Sequence, residues 1–103
     1  MKRKSVVFMV ILALAATGLF AADGAAVYKT KCAMCHGPDG TGLTTMGKSM
    51  KLRDLGSADV QKQTDKELLT LTADGKGKMP AYKGKLSDEE INDLVKYIRT
   101  LKK

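Results

Sequence analysis

The chain has no tryptophan and few aromatic residues of any kind. A short chain without bulky aromatics has little with which to fill a self-sufficient core, and chains of this size commonly need a disulfide, a metal or a cofactor. An apolar cofactor would fill the gap. There is one histidine, His36, and there are only two cysteines, Cys32 and Cys35. That excludes a closed zinc site built from thiolates and imidazoles, which needs four such ligands. The basic residues are scattered and are not interleaved with aromatics, so nucleic-acid binding has no support. No internal repeat, low-complexity tract or convincing strand pattern is present, and the expected fold is all-α with long loops.

What the sequence does have begins with a leader. Met1-Lys2-Arg3-Lys4 is basic, Val6 to Ala16 is an unbroken apolar run, and Thr17 to Ala22 turns small and ends in alanines. This is the pattern of a secretory signal peptide, with cleavage expected after Ala21 or Ala22. The alternative is an uncleaved anchor, since Ser5 to Ala22 stands at the lower length limit for crossing a bilayer. After cleavage, no stable membrane insertion is expected, and the protein would reside in the periplasm. Removing 22 of the 103 residues leaves a domain of 81, residues 23–103, and lowers the formal charge from +7 to +4 with the loss of Lys2, Arg3 and Lys4.

Three helices are readable in that domain. Asp23 is a good N-cap for a first helix running to about Cys35, which Gly37-Pro38-Asp39-Gly40 then breaks. Thr64 with Glu67 forms a capping box for a second, running to about Ala73. Ser87 with Glu90 forms another for a third, which carries Ile91, Leu94, Val95, Ile98 and Leu101 at helical spacing. Residues 37–63 are the least regular, with a short helical turn expected at Ser57. Leu43, Met46, Met50, Leu52 and Leu55 are the apolar residues there expected to be buried. A loop so long in so small a domain normally wraps around something.

Cys32-Ala33-Met34-Cys35-His36 carries the chemistry. Two thiols at i and i+3 can each add to one vinyl group of a haem, and the adjacent histidine then falls beneath the iron as proximal ligand. Against this stand a thioredoxin-type dithiol, which normally opens a helix in a βαβ setting, and a plain disulfide. The pair here closes a helix, and no strands surround it. A sixth iron ligand is sought next. With no second histidine, methionine or an open position are the main choices. Met79, in Gly77-Lys78-Met79-Pro80, is favoured because it lies far from His36 in sequence, on a loop that can approach from the opposite side. Met46, Met50 or a lysine are rivals, and Met34, inside the motif, is poorly placed.

Taken together, these residues resemble the class I c-type cytochromes, especially the short bacterial ones. Gly24-Ala25-Ala26-Val27-Tyr28 precedes Cys32 at the family's spacing, Asp74 to Tyr82 resembles its methionine loop, and Lys85 to Ile98 resembles its C-terminal helix. The resemblance implies the cytochrome c fold, with three main helices around one covalent haem c and its iron. Gly24 and Tyr28 would then meet Tyr97 where the first and last helices cross. It implies haem thioethers at Cys32 and Cys35, axial ligands at His36 and Met79, and no catalytic residues. Proximal histidines commonly donate their free ring N–H to a carbonyl, which here is expected in the 40–50 loop. The implied function is one-electron transfer between redox proteins outside the cytoplasm. A dedicated haem subunit of a larger oxidoreductase is one alternative, and a haem sensor or peroxidase with a labile sixth position is another. Lys31, Lys48, Lys76, Lys78, Lys83 and Lys85 flank the haem-binding segments and are the candidates for docking an acidic partner.

Overall fold

A computed structural model describes residues 23–103; the expected signal peptide lies outside the described residues. The elements are α1 (Gly24–Lys31), α2 (Ala33–His36), α3 (Thr45–Met50), α4 (Ala58–Gln61), α5 (Asp65–Asp74) and α6 (Asp88–Thr100). Among the described residues there is no strand, only two isolated bridges in loops. The architecture is all-α, and α1, α5 and α6 are the three main helices.

Each begins where local chemistry satisfies the free N–H groups of its first turn. The Asp23 carboxylate accepts from the amides of Ala25 and Ala26. Thr64 and Ser87 form reciprocal capping boxes with Glu67 and Glu90. The first helix is interrupted rather than continuous to Cys35: α1 ends at Lys31 with Cys32 as its C-cap at φ −115°, and α2 resumes at Ala33.

The helices are held by apolar faces. In α6, Ile91, Leu94, Val95 and Ile98 are buried, and α1 and α5 both pack against that helix. Where α1 crosses α6, a Cβ on Gly24 would overlap the backbone carbonyl oxygen of Asp93 and sit 3.1 Å from Tyr97 Cβ. Only glycine allows the two backbones so close. One turn on, the Tyr28 and Tyr97 rings meet at 5.1 Å between centroids, tilted by 43°. Gly24, Tyr28 and Tyr97 therefore meet as the resemblance implied.

The segment 37–63 is more structured than its composition suggests. It contains the expected turn at Ser57, now α4, and also α3, whose N-cap Thr44 accepts from the Gly47 amide. None of its five expected core residues is fully buried: Met50, Leu52 and Leu55 are half-buried, and Leu43 and Met46 are exposed. Leu43, which precedes α3, is 67% exposed and Met46 within it 47% exposed; the main helix contact of this short helix is α2.

Candidate functional site

The attachment motif sits on α2 and the residue before it, and its backbone is tied down on several sides. The Thr44 hydroxyl donates to the Cys35 carbonyl at 2.6 Å. The Gly42 amide donates to the His36 carbonyl at 2.7 Å. The buried Tyr28 hydroxyl donates to the Gly37 carbonyl at 2.5 Å. Two separate segments, α1 and the loop before α3, thus position two thiols and one imidazole, which limits how far any of them can move.

The methionine loop is fixed from the other side. The Lys76 amide donates to the Met79 carbonyl and the Met79 amide to the Lys76 carbonyl, closing a tight turn. Gly75 enters it at φ +74°, where a Cβ would meet Met79 O at 2.6 Å, so this position requires glycine. Beyond the turn, the amides of Tyr82 and Lys83 donate to the carbonyls of Thr72 and Ala73, pinning the loop to the end of α5. The Tyr82 hydroxyl reaches across to the Lys31 carbonyl at 3.0 Å, joining this loop to the motif.

Between the two lies a cleft of about 440 Å³ whose lining includes Cys32, Cys35, His36, Met50 and Met79. That volume is within the range of cofactor and ligand pockets. A smaller, mostly apolar recess of about 70 Å³ extends inward from His36 and Met79 to Leu68, Leu94 and Ile98. His36 and Met79 border both spaces. Of the rival methionines, Met50 lines the cleft, whereas Met46 and Met34 do not; Met34 is 77% exposed.

The groups in the cleft suit a metal-bearing apolar guest. His36 Nδ1 is buried with no hydrogen-bond partner, so the expected carbonyl of the 40–50 loop is not found. An unpartnered buried imidazole nitrogen is costly unless something satisfies the ring. Burial also pushes the His36 pKa below its usual value, which favours the neutral form that ligates metals. Both cysteines are free. Burial, with the charge of Cys35 adding to it, raises the Cys32 thiol to about 11. Reactive dithiols have the reverse shift, so the thioredoxin-type reading fails on electrostatics as well as on fold. Among the described residues no cluster of His, Cys, Asp or Glu could hold a bare metal ion. The residues present fit a haem: paired thiols, an imidazole and a thioether around one apolar cleft.

The family model described as "Cytochrome C oxidase, cbb3-type, subunit III" matches residues 20–98. Cytochrome c6 of Leptolyngbya boryana is 36% identical over 78 residues, which cover 76% of this chain and 88% of the relative. The chain belongs to the class I c-type cytochromes.

Cytochrome c6 of Microcystis aeruginosa is 33% identical over 76 residues, covering 74% of this chain and 90% of that one. The solved structure titled "KustC0563 c-type cytochrome" superposes with a TM-score of 0.73 at 34% identity, over 79% of this chain and 99% of the other. As a c-type cytochrome, the protein carries covalently bound haem c with its iron, and it is an electron carrier rather than an enzyme. Sequence reasoning named the motif and the methionine loop. It did not find Thr44 or Tyr82 as supports, and no local pattern marks either, because each acts on a carbonyl distant in sequence.

Proposed function

We propose that this cytochrome shuttles single electrons between redox proteins, with its haem attached at Cys32 and Cys35 and its iron held axially by His36 and Met79. The observation that carries the reading is the shared lining: His36 and Met79 border the same two spaces, one from α2 and the other from the loop after α5. A haem bound here supplies one-electron exchange between ferrous and ferric iron. The chain's own contribution is to hold it rigidly. Thr44, Gly42 and Tyr28 restrain the motif's backbone, and the Lys76–Met79 turn restrains the thioether. With both axial positions filled by protein atoms, small ligands are kept from the iron and little rearrangement accompanies a change of charge. A thioether partner favours the reduced state relative to a second imidazole.

Residues 1–22 are proposed as a cleaved export signal that delivers residues 23–103 to the periplasm. Among the described residues, no helix is long and apolar enough to cross a membrane. Redox proteins are the proposed partners. Of the candidate docking lysines, Lys31, Lys76 and Lys78 border the cleft, while Lys48, Lys83 and Lys85 are exposed outside its lining. The matching family's description names an oxidase subunit, which keeps a second reading in view: a haem subunit of one larger oxidoreductase. Stable co-purification with a large partner would favour that reading.

The ligand set is tested with Met79→Ala. The wild-type oxidised protein should show a weak absorption band toward the red end of the spectrum, the mark of sulfur on ferric haem, and the reduced protein should resist carbon monoxide at neutral pH. The variant should lose the band, have a lower midpoint potential and bind carbon monoxide. An unchanged spectrum would reject Met79 and make Met50 the next candidate.

A further inference from the structure

The methionine loop leaves α5 and returns to it. The amides of Tyr82 and Lys83 donate to the Thr72 and Ala73 carbonyls at 3.2 and 3.0 Å, so residues 75–81 form an arm at the end of that helix, with Met79 in its turn. The attachment motif stands on the other side of the cleft, where α1 meets α2. Among the described residues, one hydrogen bond joins the loop between α5 and α6 to the segment running from α1 to α2. It is the bond from the Tyr82 hydroxyl to the Lys31 carbonyl, across 51 positions of chain.

That carbonyl can accept because of the break at Cys32. In a continuous α-helix the Cys35 amide would donate to it. Here the Cys35 and His36 amides both donate to the Cys32 carbonyl instead, at 3.2 and 2.9 Å. Lys31 is the last residue of α1, and the carbonyls of a helix's last turn take their partners from outside it. Tyr82 supplies one such partner from a firm base. Its half-buried ring packs against the core cluster of Tyr28, Leu86 and Leu94, and the Lys85 ammonium lies 5.9 Å from the ring centroid. Its own carbonyl accepts from the Lys85 and Leu86 amides, each at 2.9 Å, and Leu86 is buried in the same cluster.

We propose that Tyr82 is a positioning residue for the sixth ligand: its hydroxyl, clasped to the Lys31 carbonyl, keeps the arm that bears Met79 closed against the attachment motif. The assignment rests on Met79 being the axial ligand. The clasp acts on how often the arm opens. Each opening withdraws the thioether and leaves the iron accessible to an outside ligand. Without the hydroxyl, the ring packing and the backbone bonds to α5 remain, and the arm opens more often by the worth of one hydrogen bond. Tyr82 thereby sets how far this chain stands from a haem protein with a labile sixth position.

The test mixes ferric holoprotein with imidazole, a probe that reaches the iron only after Met79 leaves. Loss of the sulfur band at the red end of the spectrum is followed at imidazole concentrations where the rate no longer rises, so the limiting rate reads the opening of the arm. Tyr82→Phe keeps the ring and removes only the donor. Its limiting rate should exceed wild type about three- to tenfold, the factor expected for loss of one neutral hydrogen bond, and its affinity for imidazole should rise by a similar factor. Thr64→Ala is the control. It removes the N-cap of α5, at the far end of that helix from the loop, and so lowers stability without touching the clasp. It should melt below wild type and keep the wild-type rate. A Tyr82→Phe protein with the rate and affinity of wild type would overturn the proposal and leave Met79 as ligand. A rate raised as much in Thr64→Ala as in Tyr82→Phe would overturn it too, because opening would then follow general stability. A wild-type spectrum without the sulfur band, or a band that survives Met79→Ala, would overturn the Met79 reading itself and the proposal with it.

Discussion

Gly24→Ala should loosen the crossing of α1 and α6 while leaving the haem-attachment chemistry untouched. The added methyl would overlap the carbonyl oxygen of Asp93 and lie 2.8 Å from its carbonyl carbon. Both are backbone atoms of a helix, so no side chain can swing aside; the two helices must separate. Forced overpacking of this kind costs about 1–3 kcal/mol. Alanine's better helix propensity returns at most about 1 kcal/mol, and less at a helix's first position than in its interior. A net loss of about 1–2 kcal/mol remains. At about 4–8 °C per kcal/mol for a domain of this size, the melting temperature should fall by about 4–16 °C. Gly77→Ala is the control. Its Cβ would meet nothing within 4 Å, but its backbone sits at φ +59°, so the cost is conformational and about 1 kcal/mol. Thermal melting of both holoproteins, followed by far-ultraviolet circular dichroism, gives the comparison. Separation of the helices should also disturb the Tyr28–Tyr97 contact, and near-ultraviolet dichroism should change in Gly24→Ala but not in Gly77→Ala. A Gly24→Ala protein that melts with wild type and keeps its near-ultraviolet spectrum would refute the close-crossing argument.

Two further outcomes bear on function. Cys32→Ala with Cys35→Ala should abolish covalent haem, seen by mass spectrometry as the apo mass alone, and should leave the 81-residue domain largely unfolded because its centre is missing; a well-folded apo double variant would contradict this. Electron transfer to an acidic partner should slow as salt rises if Lys31, Lys48, Lys76, Lys78, Lys83 and Lys85 steer the encounter, since exposed charges are screened beyond about 8–10 Å at 0.1–0.15 M salt; rates independent of ionic strength would remove these lysines from docking.

The sequence by itself determined whatever depends on contacts between near neighbours. The capping boxes Thr64–Glu67 and Ser87–Glu90 are complete within four residues, and so both helix starts were legible. The buried face of α6 follows from its 3-and-4 spacing alone. The motif Cys32–His36 is local too: two thiols and an imidazole must lie within five residues to serve one haem, and few other uses demand that spacing. Even the helix crossing was readable through resemblance, because a glycine held against another backbone tolerates no substitute.

What only the tertiary structure decided involves segments that meet from afar. Leu43 and Met46 are as apolar as Leu52, and nothing in their own neighbourhood says that α3 lies on the surface with those two residues turned outward. The break at Cys32 within the first helix is likewise seen only in the folded chain. Thr44, Tyr28 and Tyr82 are ordinary residues in sequence, yet their hydroxyls hold the carbonyls of Cys35, Gly37 and Lys31. Arg53 and Lys76 stand 23 residues apart in the chain and adjoin one groove only because the loop after α3 and the loop after α5 converge there. Local chemistry selects helix starts and attachment spacing at short range; the walls of a cleft are assembled from separate loops, and their convergence is set by how α1, α5 and α6 pack.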